Sequence, residues 1–232
     1  VTLTSEWSRY RWRPLTGPVA GLVDGEGYFH RRPEAVAANA DPDAVEDEMA
    51  AQIERALSDG IRPTHIDAHM GTAFLPQFIE RLWKLADRYR LPLPVCRDMI
   101  RLFDIVRMHG LDLGYFREVL AEAERRRDPV FETFFIGFTP EGQTAETFYA
   151  SMANDASEGQ HWLAMHANSP DDLATYAPHM ARAREAEYRC FSDKRSADLF
   201  GDAALINWHD LKLPEARPEA GPPHRPEAAR PH

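Results

Sequence analysis

The sequence predicts an α/β protein built as a TIM-like (β/α) barrel, distorted and lacking its first strands. Three observations carry this. Short apolar runs alternate with helical periodicities along most of the chain, the pattern of a parallel sheet. Several runs bear polar residues at their C-terminal ends, where a (β/α) barrel builds its active site. No G-x-G-x-x-G follows a strand, so an open doubly wound sheet, the alternative, lacks its usual fingerprint.

In order, Val1-Thr2-Leu3-Thr4 reads as the end of a strand, which suggests an upstream segment. The stretch to about residue 40 reads as irregular, with Trp7, Tyr10, Trp12 and turn signals at Gly17-Pro18 and Asp24-Gly25. A long loop of this kind is more often functional than a spacer. Asp41 and Pro42 start a helix that points Val45, Met49, Ile53 and Leu57 one way and stops at Gly60. Strands are then expected over 64–69, 93–97, 130–137, 161–166 and 204–208. Helices are expected over 76–89, 115–123, 144–156 and 178–190, with a short helix capped by Ser192. The domain spans 1–213, and 214–232 reads as a disordered tail rich in Pro, Glu, Ala and Arg.

The chain has 232 residues, 44% of them hydrophobic, enough for one large core without metal or disulfide staples. A net charge of −10 argues against a nucleic-acid binder and against an anionic membrane surface. No apolar run approaches the roughly 20 residues that span a bilayer. Cys96 and Cys190 read as isolated buried thiols, which fits a reducing, cytoplasmic compartment.

The strongest chemical signal is Pro63-Thr64-His65-Ile66-Asp67-Ala68-His69. On a strand, His65, Asp67 and His69 share one face, with Ile66 and Ala68 on the other. Two imidazoles and a carboxylate facing inward suit a divalent metal, or a hydrogen-bonded cluster holding a loop. His166 ends an apolar strand and reads as a general acid across the same rim, or as a structural His. Arg97 ends another strand and could hold an anion or a sugar hydroxyl, or pair at the surface.

Together these segments resemble the YdjC-like carbohydrate deacetylases, whose best-known activity is chitooligosaccharide deacetylation. The resemblance runs through Leu3-Thr4-Ser5-Glu6-Trp7, Tyr10-Arg11-Trp12-Arg13-Pro14-Leu15, Pro63 to His69, His166 and Asn207-Trp208-His209-Asp210-Leu211. It implies a metal-dependent hydrolase that removes an acetyl group from an N-acetylated sugar. It implies one divalent ion, Mg²⁺ or Zn²⁺, held by an Asp and a His from upstream strands and by His69. It also implies His65 and Asp67 behind that ligand, His166 as the acid, and Trp7, Trp12 and Arg97 against the sugar. Ala167 stands where the family carries Pro. The expected partner is a small carbohydrate, not a membrane or a nucleic acid, with a homodimer left open. Two rivals remain: another metal-dependent amidohydrolase or phosphoesterase barrel, and a truncated sugar-binding domain without turnover.

Overall fold

Proline starts and side-chain caps set most of the helices. In the computed structural model, which describes residues 1–99 and 113–211, α1 (Pro33–Asn39) and α2 (Pro42–Ser58) both open on proline, whose fixed φ suits a first turn. Asp41 caps α2 by accepting from the Asp43 N–H. Along α2, Val45, Met49 and Ile53 are buried against α3 (Ile79–Tyr89), which presents Leu82, Leu85 and Ala86. α4 (Leu113–Arg126) follows. Next come α5 (Ala145–Asp155), capped by Thr144, α6 (Pro170–Tyr176) and α7 (Pro178–Ser192). Two 3₁₀ segments, His69–Phe74 and Lys194–Phe200, complete the helical set; the second is capped by Asp193 rather than Ser192. No described helix is long and apolar enough to cross a membrane. The tail expected over 214–232 lies outside the described residues.

The strands are shorter than their apolar runs. β1 (Val95–Cys96) pairs in parallel with β2 (Val130–Phe131), and β3 (Thr133–Ile136) pairs in parallel with β4 (His161–Ala164). The run expected to form one strand over 130–137 breaks at Glu132, whose N–H turns to Gln160 O. Residues 1–4, 64–69 and 204–208 were expected as strands and are not regular ones. The first two are nonetheless tied as parallel neighbours: the Val1 nitrogen donates to Asp67 O, and the His69 N–H donates to Val1 O. Ile66 N–H donates to Pro92 O. Each extended segment thus leans on the next one in sequence. Among the described residues these pairings form two two-stranded sheets and do not close a barrel, so the observed class is mixed α/β. α1 and α6 form where the sequence predicts no regular element.

The main core lies between these segments and α1 to α4, around Leu3, Leu22, Phe29, Phe78 and Val119. A smaller cluster joins α5 to α7 through Tyr149 and Cys190. At 204–208 Trp208 makes the attachment. It stacks on His65 at 3.8 Å and meets the edges of Trp162 and Phe131. Gly21, at φ +85°, lies against the end of α1, where a Cβ would come within 2.0 Å of Asn39 O.

One buried carboxylate holds the long first loop to α2. Glu48 accepts from the N–H groups of Leu15 and Thr16, from Thr16 Oγ1 and from Gln52 Nε2, at 2.8–3.1 Å. Gln52 in turn bonds both backbone groups of Thr2. Glu48→Ala should therefore destabilise the fold by about 2–3 kcal/mol, since several donors lose their acceptor at once. Urea unfolding checks this, and a loss under about 0.5 kcal/mol would show that water replaces Glu48 freely.

Candidate functional site

The alternation expected at 65–69 is present in the burial of the side chains. Ile66 and Ala68 enter the core, Asp67 is exposed, and His65 and His69 are half-buried. The backbone leaves this extended path at His69, where Met70 and Gly71 both adopt positive φ. The His69 imidazole then points at the first loop, with Nε2 3.1 Å from Glu6 Oε2. His65 takes another environment. Its Nδ1 lies 2.9 Å from Thr64 Oγ1 and its ring is stacked on Trp208. Of the H-x-D-x-H string, only His69 reaches the Glu6 side.

His166 lies two residues past β4. Its N–H donates to Glu187 Oε2 at 2.7 Å, and its ring packs 4.9 Å from Phe138. The charges of Arg184, His69 and Glu6 all act on it. Arg184, on α7, lies over the rings of Trp7 (5.4 Å) and Phe138 (5.7 Å). Trp7 meets Trp12 edge-on at 6.0 Å and Tyr176 at 4.7 Å, and Tyr10 extends the row. Arg9 fastens this loop to α6 through Thr175 O. The result is an aromatic wall running from Trp12 to Phe138 beside a His–carboxylate pair. Arg97 does not join it: Glu124 and Glu132 hold its guanidinium.

The electrostatics follow from burial and neighbours. Burial works to raise the Glu6 carboxyl, but the hydrogen bond and charge of His69, with help from Arg184, bring it below the usual range. Burial, then Arg184 and His69, push His166 below its ordinary value, with Glu6 opposing. Burial also lowers His65. The sequence reading missed Glu6, Phe138, Tyr176, Arg184 and Glu187. Only Glu187 leaves a signal, as a charged residue on the α7 stripe of Ala183 and Cys190.

The donor set does not by itself fit the divalent ion implied by the resemblance. His69 stands with the single carboxylate Glu6, and no group of three or more His, Cys, Asp or Glu suited to an ion occurs among the described residues.

The family described as YdjC-like protein matches residues 1–201. This chain belongs to the YdjC-like family. A carbohydrate deacetylase of Thermus thermophilus is 30% identical over 91% of this chain and 76% of its own length. One from Geobacillus stearothermophilus is 34% identical over 64% of this chain, which spans about half of that relative, 49%. In shape, the chain is similar to an Enterococcus faecalis protein named as a candidate cellobiose-phosphate cleavage protein. That match has a TM-score of 0.67 at 19% identity, over 92% of this chain and 76% of the other. It shows a shared fold.

His65 and His166 both resist protonation in the folded state. The unfolded chain takes up protons near the ordinary value of 6.5, so their neutral forms favour folding fully above it. Stability should fall as pH drops below about 6.5, and the pair His65→Gln, His166→Gln should flatten that fall. Thermal unfolding across the range checks this; an unchanged slope in the double variant would contradict it.

Proposed function

We propose that this chain carries the substrate-binding and proton-handling groups of a hydrolase that removes the acetyl group from an N-acetylated sugar or oligosaccharide. The observation that carries the reading is an aromatic wall with the His69–Glu6 pair beside it and His166 packed on its far end at Phe138, bridged by Arg184, in a chain whose relatives are named carbohydrate deacetylases. The serial parallel pairing of 1, 66–69, 92–97, 129–136 and 160–164 supports placing that rim at the C-terminal ends of a distorted barrel's strands. Two buried, unpaired cysteines support a reducing, cytoplasmic setting.

Sugar rings present flat C–H faces, and Trp7 and Trp12 offer rings for them to pack on. Glu6 fixes the orientation of His69 through Nε2. His166, held below its ordinary value by burial, is placed to give a proton to the leaving amine. Arg184, held over Trp7 and Phe138, supplies the positive charge of this wall that an oxyanion of the acetyl group would need. Asp67, exposed next to His69, and His65, stacked on Trp208, shape the strand rather than touch the sugar.

One second reading, a sugar-binding domain without turnover, is favoured by the aromatic wall, which would hold a sugar by itself. Acetate release from an N-acetylated chitooligosaccharide separates the two. In the active enzyme His166→Ala should lower kcat by about 10²- to 10⁴-fold, with KM little changed. Retained kcat would make His166 structural. Trp7→Ala should raise KM by about 10-fold and leave kcat close to wild type, the signature of lost binding shared by ground and transition states. An unchanged KM would remove Trp7 from the sugar site.

A further inference from the structure

Glu187 is fully buried on α7, although a carboxylate at a helix core position is costly unless it is partnered. One oxygen has a strong partner: Oε2 accepts the His166 N–H at 2.7 Å. On its other side the carboxylate meets the Tyr149 hydroxyl, its side-chain partner in this small core. Nearly one turn earlier, Arg184 O accepts the Asn168 N–H at 3.2 Å. Both bonds fall on residues just past β4, where the ladder to β3 has ended at Ala164. The Arg184 guanidinium also covers Phe138, against which the His166 ring packs. A Leu or Met at 187 would fill the same space without burying a charge. What a carboxylate adds there is an acceptor for the His166 N–H, with the Tyr149 hydroxyl on its other side.

We propose that Glu187 is a positioning residue: its buried carboxylate fixes the backbone of His166 and, with Arg184 O on Asn168, sets where the His166 imidazole stands on the rim. This rests on the reading of His166 as the proton carrier of a deacetylase.

The test uses the full chain and two variants. Glu187→Met keeps the volume and removes the acceptor; Glu187→Gln keeps an acceptor oxygen. The His166 ring resonance, identified by its loss in His166→Gln, should stay in place in Glu187→Gln and move in Glu187→Met. Acetate release from an N-acetylated chitooligosaccharide should show kcat within about 3-fold of wild type for Gln. For Met it should be lower by about 10- to 100-fold with KM within about 3-fold, the pattern of a misplaced catalytic group. A folded Glu187→Met with an unmoved His166 resonance overturns the proposal, as do equal losses in the two variants. Hydrogen exchange on the wild-type chain is independent of any variant's folding: the His166 amide should be protected, and free exchange overturns the proposal. A wild-type chain inactive on the sugar, with the resonance pattern as stated, overturns the deacetylase reading and leaves the positioning role standing.

Discussion

Burial of Ile66 and Ala68 in the core decides which way the neighbouring side chains can face. On an extended chain the side chains alternate, so these two apolar groups leave His65, Asp67 and His69 on the opposite side. Neither histidine can turn inward without slipping the register, which would also lose the bonds that tie this segment to Val1 and Pro92. The positive φ at Met70 and Gly71 then turns the chain away directly after His69. The imidazole is left standing at the rim, where Glu6 meets it. Glu6 is itself placed by the buried residues Leu3, Thr4 and Ser5 just before it.

A second support comes from α7. Arg184 lies within the electrostatic reach of Glu6 and Glu187, and burial lowers its own hold on a proton. A half-buried guanidinium that feels two carboxylates and lies over two aromatic rings places opposite charges at separate points. Such fixed dipoles need little rearrangement when charge develops in a bound substrate. The first loop, α6 and α7 therefore act as one wall, joined by Arg9, Trp7 and Tyr176.

Much of this was legible in the residues. Caps and periodicity placed α2, α3 and α5 closely, because Asp41, Thr144 and the apolar stripes act locally. The period-two pattern at 65–69 carried through to burial even though the segment forms no regular strand. The grouping of His69 with His166 rested on both ending extended segments, and the charge of His69 does act on His166. What stayed hidden depends on partners distant in sequence. His65 is drawn to Trp208 by ring stacking, and Arg97 is captured by Glu124 and Glu132, neither of which a local pattern announces. Glu6 looks like any loop carboxylate until the fold brings His69 to it. The run over 130–137 is divided at Glu132, where the backbone turns from β1 to Gln160 O, a tertiary effect with no local signature.

The central claim is that two strand-end histidines and the first loop form one sugar site. Titrating the chain with an N-acetylated chitooligosaccharide while following side-chain resonances tests it most directly. The account predicts that His69, His166 and Trp7 respond together with a single dissociation constant. Responses confined to the cavity of about 890 Å³ lined by Phe131, Trp162 and Trp208, with the rim histidines unmoved, would contradict it.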